Sequence, residues 1–296
     1  MAILALCAAA TVGCTTASQT DEARDSASPV AATSAKDPEI NAMLPAAIKS
    51  AGVIRVATDA TYPPMEFFGP DNKTLQGLDI DLGAALGAVM GVKFAFDNVA
   101  FDTILPSLGV RYDIGMSSLN DTKLRQEVVD MVDYYTAGAT FMVRKGQNQD
   151  LGSLTALCGK HVAVGKGSIQ FDDVVKQSDT CRSEGKPQID VQAYPDQTGA
   201  NLAVVSGRAD VVLADRPTVA FAVSQSNGTL EEVGQPYNSA LASIAVPKGA
   251  EYQGLAEGLQ AGLRKLADDG TYQEILSKWN LQAGAITDFT INGAQS

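Results

Sequence analysis

From Gly52 onward the chain alternates short, apolar, β-prone runs with helical segments, and no other feature restricts the fold as much. Val53–Ala57 is a strand ending at Thr58–Asp59, Lys93–Phe96 a strand, Phe101–Leu108 a helix, and Asp113–Met116 strand-like. Asp79 is placed to N-cap a helix running to Val89, with Gly91 just past its end. Lys123–Val129 reads as a helix and Thr140–Val143 as a strand. The alternation restarts with a strand over His161–Val164 and helices over Ser168–Lys176 and Gln197–Ser206. A buried strand, Asp210–Leu213, and a helix, Arg216–Val223, complete it. Leu255, Leu259, Leu263 and Leu266 form one helical stripe ended by Gly270, and Thr271–Glu274 reads as a capping box opening a last helix. Such alternation predicts an α/β fold with mostly parallel sheets.

The first residues follow another logic. Met1–Gly13 is apolar and ends in small residues at Cys14, a signal peptide whose last residues resemble a bacterial lipobox, with Thr11 where Leu is usual. Residues 1–14 are therefore expected to be a signal peptide, with Cys14 the lipidated first residue of the mature chain. Residues 15–45, rich in Ser, Thr, Ala and Asp at the start, are expected to be a flexible tether. Past the first residues no apolar run approaches the ~18 residues of a membrane span. The 22 Lys and Arg against 34 Asp and Glu give a net charge of −12, all of it beyond Cys14, which argues against nucleic acid as a partner. Of the 4 cysteines, Cys7 leaves with the signal and Cys14 carries lipid. Cys158 and Cys181 remain as an even pair, which is a disulfide in an exported protein or else two separate buried thiols.

Most enzyme motifs are absent. There is no Gly-x-Ser-x-Gly elbow, and Gly165-Lys166-Gly167-Ser168 fails both the phosphate-loop and the Gly-x-Gly-x-x-Gly spacings. The one histidine, His161, lies in an apolar strand and reads as a packed residue. Neither a metal nor a cofactor is expected.

Polar and aromatic residues instead cluster at strand ends and helix starts, where open α/β sheets bind ligands. Asp59 and Tyr62 follow the first strand, and Ser117, Ser118 and Asn120 follow Ile114–Met116. Arg125 lies just beyond, Gly167 and Ser168 follow Val162–Val164, and Asp215 follows Val211–Leu213. An Arg fork suits a carboxylate, a helix N-terminus at Ser168 offers N–H groups to the same anion, and an Asp suits an ammonium. These are the parts that hold a zwitterionic α-amino acid.

The order of these motifs adds a family resemblance. Thr58-Asp59-Ala60-Thr61-Tyr62-Pro63-Pro64-Met65-Glu66-Phe67, Gly77-Leu78-Asp79-Ile80-Asp81-Leu82 and Phe101-Asp102-x-x-Leu105-Pro106 come first. Ser117-Ser118-Leu119-Asn120-x-Thr122-x-x-Arg125, Gly159-Lys160-x-Val162-Ala163-Val164-x-x-Gly167-Ser168-x-Gln170 and Gly207-Arg208-Ala209-Asp210-x-x-x-x-Asp215 follow. Over roughly residues 50 to 282 the series resembles the extracytoplasmic amino-acid-binding proteins of ABC importers, solute-binding protein family 3. The resemblance implies a two-lobe periplasmic-binding-protein (Venus-flytrap) α/β fold, with two mixed, mostly parallel sheets joined by a two-strand hinge. Residues 50–143 plus 246–283 would form lobe 1 and residues 146–242 lobe 2, with the crossings near Val143–Lys145 and Ala245–Pro247. Arg125 would clamp the ligand carboxylate, helped by Ser168. Asp215 and Ser118 would take the ammonium, Tyr62 and Phe101 would sandwich the side chain, and Asp59 would face it. Asp79 and Asp81 read as cap and dipole partners, and Glu66 as structural, though it is the next carboxylate to suspect.

The function implied is a monomeric, lipid-anchored binding protein that delivers a polar or cationic amino acid to ABC permease subunits at the cell membrane. Two alternatives use the same fold. One is a cyclohexadienyl-dehydratase-like enzyme, which would need a general acid such as Glu66 or Asp59. The other is a ligand-sensing domain, expected to run on into a membrane span and a signalling module.

Overall fold

The computed structural model describes residues 35–147 and 149–294. Cys7, Cys14, the signal peptide and most of the expected tether lie outside the described residues. Helices α1 (Pro38–Met43) and α2 (Ala46–Ala51) lead into β1 (Val53–Thr58) and a small antiparallel sheet of β2 (Thr61–Tyr62), β3 (Glu66–Phe68) and β4 (Leu75–Gln76). Next come α3 (Leu78–Met90), β5 (Lys93–Asn98), α4 (Ile104–Ser107), β6 (Ile114–Asn120), α5 (Lys123–Gln126) and the long strand β7 (Val129–Arg144). The second half holds β8 (His161–Gly165), α6 (Ile169–Ser183), β9 (Asp190–Tyr194), α7 (Gln197–Val205), β10 (Val211–Asp215), α8 (Arg216–Gln225) and a second long strand, β11 (Leu230–Pro247). Helices α9 (Leu255–Asp268) and α10 (Thr271–Lys278) follow.

Among the named strands, parallel pairing falls into two groups: β1 with β5 and β6, and β8 with β9 and β10. Each group is linked through helices, as parallel strands require. Between the groups, β7 and β11 pair antiparallel from Val129↔Pro247 to Arg144↔Leu230. Near one end β11 also pairs with β6 through Ala242–Ala245, and near the other β7 pairs with β10 through Ala139–Met142. Hydrogen bonding is therefore continuous through one eight-stranded sheet, ordered β5-β1-β6-β11-β7-β10-β8-β9, and the hinge is the middle of its central ladder. Register breaks at Val233/Tyr237, Tyr237/Ala240 and Ala242/Ser243 concentrate there, and bulges of this kind add local twist. The change of partner thus falls near residues 136–139 and 237–242, inside the strands, rather than at the crossings that the resemblance implied.

Each half has its own core. Ile54, Val56, Leu82, Leu86 and Met90 bury against the α9 stripe of Leu255, Leu259, Leu263 and Leu266. On the other side Phe141, Val162, Val164, Val174 and Leu213 form a separate cluster. Among their neighbours, Cys158 and Cys181 are joined by a disulfide, which ties the segment before β8 to α6.

Several local expectations are corrected. Residues 38–45 are not tether, because α1 docks on the first core through buried Ile40 and Leu44, and Asp37 caps it by accepting from the Glu39 and Ile40 N–H groups. The first lobe also runs past residue 283: Phe289 is buried, Ile291 bridges Val132, and the Ala294 N–H donates to Asp121. The helix expected over Lys123–Val129 stops at Gln126, because Val129 already pairs in β7. Gly77, not Asp79, caps α3, which leaves Asp79 fully buried inside the first lobe. Thr271 is the first residue of α10 rather than its cap, a position held by Gly270. His161 is not packed inside: as the first residue of β8 its side chain is 58% exposed, and its Nδ1 pairs with Asp190 at 2.6 Å.

Candidate functional site

The carboxyl ends of β1 and β6 open on a crevice that the ends of β8 and β10 face from the other lobe, as the strand-end rule requires. The crevice is narrow, with a cavity volume of about 40 Å³. Asp59, Tyr62, Phe101, Ser117, Ser118 and Asn120 line it from the first lobe, and Ser168 and Asp215 from the second.

The first-lobe wall is wired internally. The Asp59 N–H donates to Ser117 Oγ at 2.9 Å, and that hydroxyl donates to Glu66 Oε1 at 2.8 Å. Asp79 accepts the Ser118 N–H at 3.0 Å and the Tyr134 hydroxyl at 2.7 Å. Ser118 has a positive φ of 46°, unusual for a residue with a side chain, so Asp79 holds a strained residue in place at the pocket wall. Asp59 Oδ2 also accepts the Phe101 N–H at 3.2 Å, which fixes the turn carrying that ring. Burial pushes the Asp59 carboxyl up to about 6, and burial does the same to Asp79. Burial and the nearby Asp79 charge hold Glu66 well above the usual carboxylate range.

The second-lobe wall is simpler. Asp215 ends β10 and starts α8 without capping it through its side chain, and its Oδ1 accepts from Gln170 Nε2 at 2.8 Å. Burial raises this carboxyl to about 6. Ser168 caps α6: its hydroxyl accepts the Phe171 N–H and donates to Gly165 O, so its hydrogen-bonding capacity is turned largely toward its own helix.

The lobes meet around the pocket. Tyr62 Oη accepts the Asp215 N–H at 2.9 Å, and Thr61 Oγ1 accepts the Gln197 N–H at 3.1 Å. Lys166 Nζ pairs with Asp102 at 2.8 Å. Arg125 and Gly167 do not line the cavity; the Arg125 guanidinium instead bridges the lobes, donating to Asn120 O at 2.7 Å and Gly167 O at 3.0 Å. Its carbon lies 5.7 Å from the centre of the Phe101 ring, and two of its five N–H groups are used in these bonds. Burial lowers the guanidinium from its ordinary value, while Asp172, Asp215 and Asp121 oppose the shift. Gly167 has φ of 80°, and a Cβ there would sit 3.2 Å from the Asp102 Cβ, so a side chain would press the lobes apart. Outside the pocket, Phe221 of α8 meets Phe67 of β3 at 5.6 Å between centroids.

The arrangement therefore gathers all ten residues singled out above, eight as lining and two as a bridge. Sequence reasoning missed Thr61, Lys166, Gln170, Asp196 and Gln197 as lining residues and took Glu66 for a structural residue. Gln170 belonged to a quoted motif. Asp196 and Gln197 follow β9, a strand that went unread; with it in hand, the strand-end rule finds them.

A model of the bacterial extracellular solute-binding proteins, family 3, matches residues 54–282. The chain belongs to that family. Similar relatives within it include an arginine-binding protein of Corynebacterium glutamicum, 34% identical over 86% of this chain and 83% of its own. An L-cystine-binding protein of Escherichia coli is 28% identical over 78% of this chain and 84% of its own. Among solved structures, an ancestral arginine-binding protein bound to arginine superposes with a TM-score of 0.71, at 33% identity over 77% of this chain and 98% of its own. The two-lobe fold is thus that of family members. No helix among the described residues is long and apolar enough to cross a membrane.

Proposed function

We propose that this protein captures a cationic amino acid, arginine fitting best, by closure of its two lobes, and delivers it to an ABC permease. The observation that carries the ligand class is the charge of the pocket lining. Asp59, Glu66, Asp196 and Asp215 line it against one lining cation, Lys166, which is already paired with Asp102. A cationic side chain relieves that excess, whereas an acidic one adds to it. The relatives that bind arginine support the same reading.

In this reading Arg125 clamps the α-carboxylate with the N–H groups that its bridge leaves over. Asp215 and Ser118 take the α-ammonium, Tyr62 and Phe101 flank the side chain, and Asp59 faces its charged end. The N-terminus of α6 at Ser168 adds N–H groups to the carboxylate side. Ligand bridging Arg125 to Asp215 then favours the closed state, because only that state makes both sets of contacts. Cys14 would hold the mature protein at the cell membrane as a lipoprotein, and the working unit would be a monomer.

A thermal-shift screen against the proteinogenic amino acids tests the ligand class. A ligand at about 100 times its dissociation constant stabilises by about 2.7 kcal/mol. Arginine, with or without lysine and ornithine, is expected to give the largest shift; shifts confined to acidic or apolar amino acids contradict the reading. One observation speaks for the dehydratase alternative, since Glu66 is a buried pocket carboxyl that burial and the nearby Asp79 push above the usual carboxylate range. Incubation with a cyclic dienyl carboxylate decides it, with no aromatic product expected.

A further inference from the structure

The family match ends at residue 282, yet the chain continues along the first lobe to Ala294. Gly284 packs so closely on β7 that a Cβ there would overlap the Tyr135 ring and the Thr136 carbonyl. Phe289 is buried in the first core, and its carbonyl accepts from Gln260 Nε2 at 2.6 Å. Thr290–Asn292 then run antiparallel beside Met131–Asp133, on the edge of β7 away from β11. The Asp133 N–H donates to Thr290 O at 2.9 Å, and the Asn292 N–H to Met131 O at 2.7 Å. The Asn292 side chain accepts the Met131 N–H and donates to Asp130.

This extension ends on the turn that carries Arg125. Thr122 caps α5 by accepting the Arg125 N–H, and Asn120 O accepts from the Arg125 guanidinium. Asp121 lies between them, buried, and its N–H donates to Leu241 O. Its Oδ1 accepts from Gln126 Nε2 at 2.8 Å, inside the turn, and its Oδ2 accepts the Ala294 N–H at 2.9 Å. The Asp121 carboxylate is also close enough to act by charge on the Arg125 guanidinium. A buried oxygen deprived of its Ala294 donor needs another, and the guanidinium is a stronger donor than any amide in the turn.

We propose that residues 284–294 position the carboxylate clamp: by occupying Asp121 through the Ala294 N–H, they keep the spare Arg125 N–H groups available to the ligand carboxylate. This rests on the reading of Arg125 as the clamp given above. Without the Ala294 bond, Asp121 turns to Arg125 and competes with the ligand for the same fork. The loss therefore falls on ligands that carry a carboxylate and spares those that lack one. By linkage the effect is reciprocal, since a bound carboxylate holds Arg125 and favours the Asp121–Ala294 bond.

Ala294→Pro removes that one N–H and no side-chain contact of residues 284–292. By calorimetry it is expected to weaken arginine binding about tenfold and to keep the affinity for agmatine, the same cation without the carboxylate. In an Arg125→Ala background it is expected to have no further effect on arginine. Arginine and agmatine weakened alike would mark a merely structural role and overturn the proposal, as would neither being weakened while Arg125→Ala alone loses arginine. Arginine bound by Arg125→Ala as by wild type would remove the clamp and the proposal together. Should the proline variant not fold, hydrogen exchange in the wild type decides. The Ala294 amide is expected to exchange about tenfold more slowly with arginine bound than with agmatine at equal occupancy, and equal exchange overturns the proposal.

Discussion

The two walls of the pocket are built on different principles. The first-lobe wall is a network of two hydrogen-bonded chains, Asp59–Ser117–Glu66 and Ser118–Asp79–Tyr134, which meet where Glu66 lies against Asp79, all buried in the first lobe. The second-lobe wall is a short set of groups at helix starts, Ser168, Gln170 and Asp215, with one side-chain bond between the last two. A network made within one lobe does not depend on the other, so in the proposed closure the first wall is preorganised to receive ligand and the second completes the site. Asp79, which stands behind the first wall and outside the pocket lining, should then fail through folding when removed, and Asp215 on the second wall through affinity.

The largest effect is expected at the bridge between the walls. Arg125→Ala buries a ligand carboxylate without its partner and should cost about 3–5 kcal/mol of binding, roughly two to almost four powers of ten in dissociation constant by calorimetry. Next comes the contrast between the walls themselves. Asp79→Ala strands the Tyr134 hydroxyl and the Ser118 N–H, and should cost about 3 kcal/mol of stability, read as a fall of about 6–12 °C in Tm without ligand. Asp215→Ala should leave that Tm unchanged or raised while weakening binding by at least tenfold.

The pH dependence sharpens the same contrast. Asp215 binds its proton more tightly in the folded protein, at about 6, than in the unfolded chain, at about 3.9. The stability it lends is complete below about pH 4 and is lost as pH climbs through about 6. Asp215→Ala should therefore gain on wild type by on the order of 2 kcal/mol between pH 4 and 7, measured as the Tm difference without ligand. The smallest effect belongs to the aromatic contact outside the pocket. Phe221→Ala removes the Phe67 pairing across the lobes and should weaken binding by about 0.5–1.5 kcal/mol, roughly two- to twelvefold, with no change in which ligand is preferred.

Much of this was legible in the sequence where the signal was local. Val53–Ala57, His161–Val164 and Val211–Leu213 are short apolar runs, and the residues just after them line the pocket, so strand ends alone pointed to Asp59, Ser168 and Asp215. The long strand β11 was not legible, because Leu230–Ala240 carries Gly234, Pro236 and Asn238 and, past Leu230, is exposed or half-exposed throughout. It is a strand by virtue of pairing with β7, which no local pattern reports. Asp79 misled for a related reason. Acidic residues at the start of a helix usually serve its own end, but here Gly77 takes the cap and tertiary packing turns Asp79 toward Ser118 and Tyr134. His161 sits among apolar neighbours yet begins its strand at the sheet's rim, so its ring reaches Asp190 outside the core. The tether was drawn too long because its composition masked Ile40 and Leu44, which bury against the first core.

The central claim is that the ligand is held at both ends, by Arg125 at its carboxylate and by pocket carboxylates at its cationic side chain. A calorimetric comparison of arginine with agmatine, which lacks the carboxylate, and with norvaline, which lacks the guanidinium, tests this most directly. The account predicts that each truncated ligand binds at least a hundredfold more weakly than arginine, since each leaves a buried charge without its partner. Agmatine or norvaline binding as tightly as arginine would contradict it.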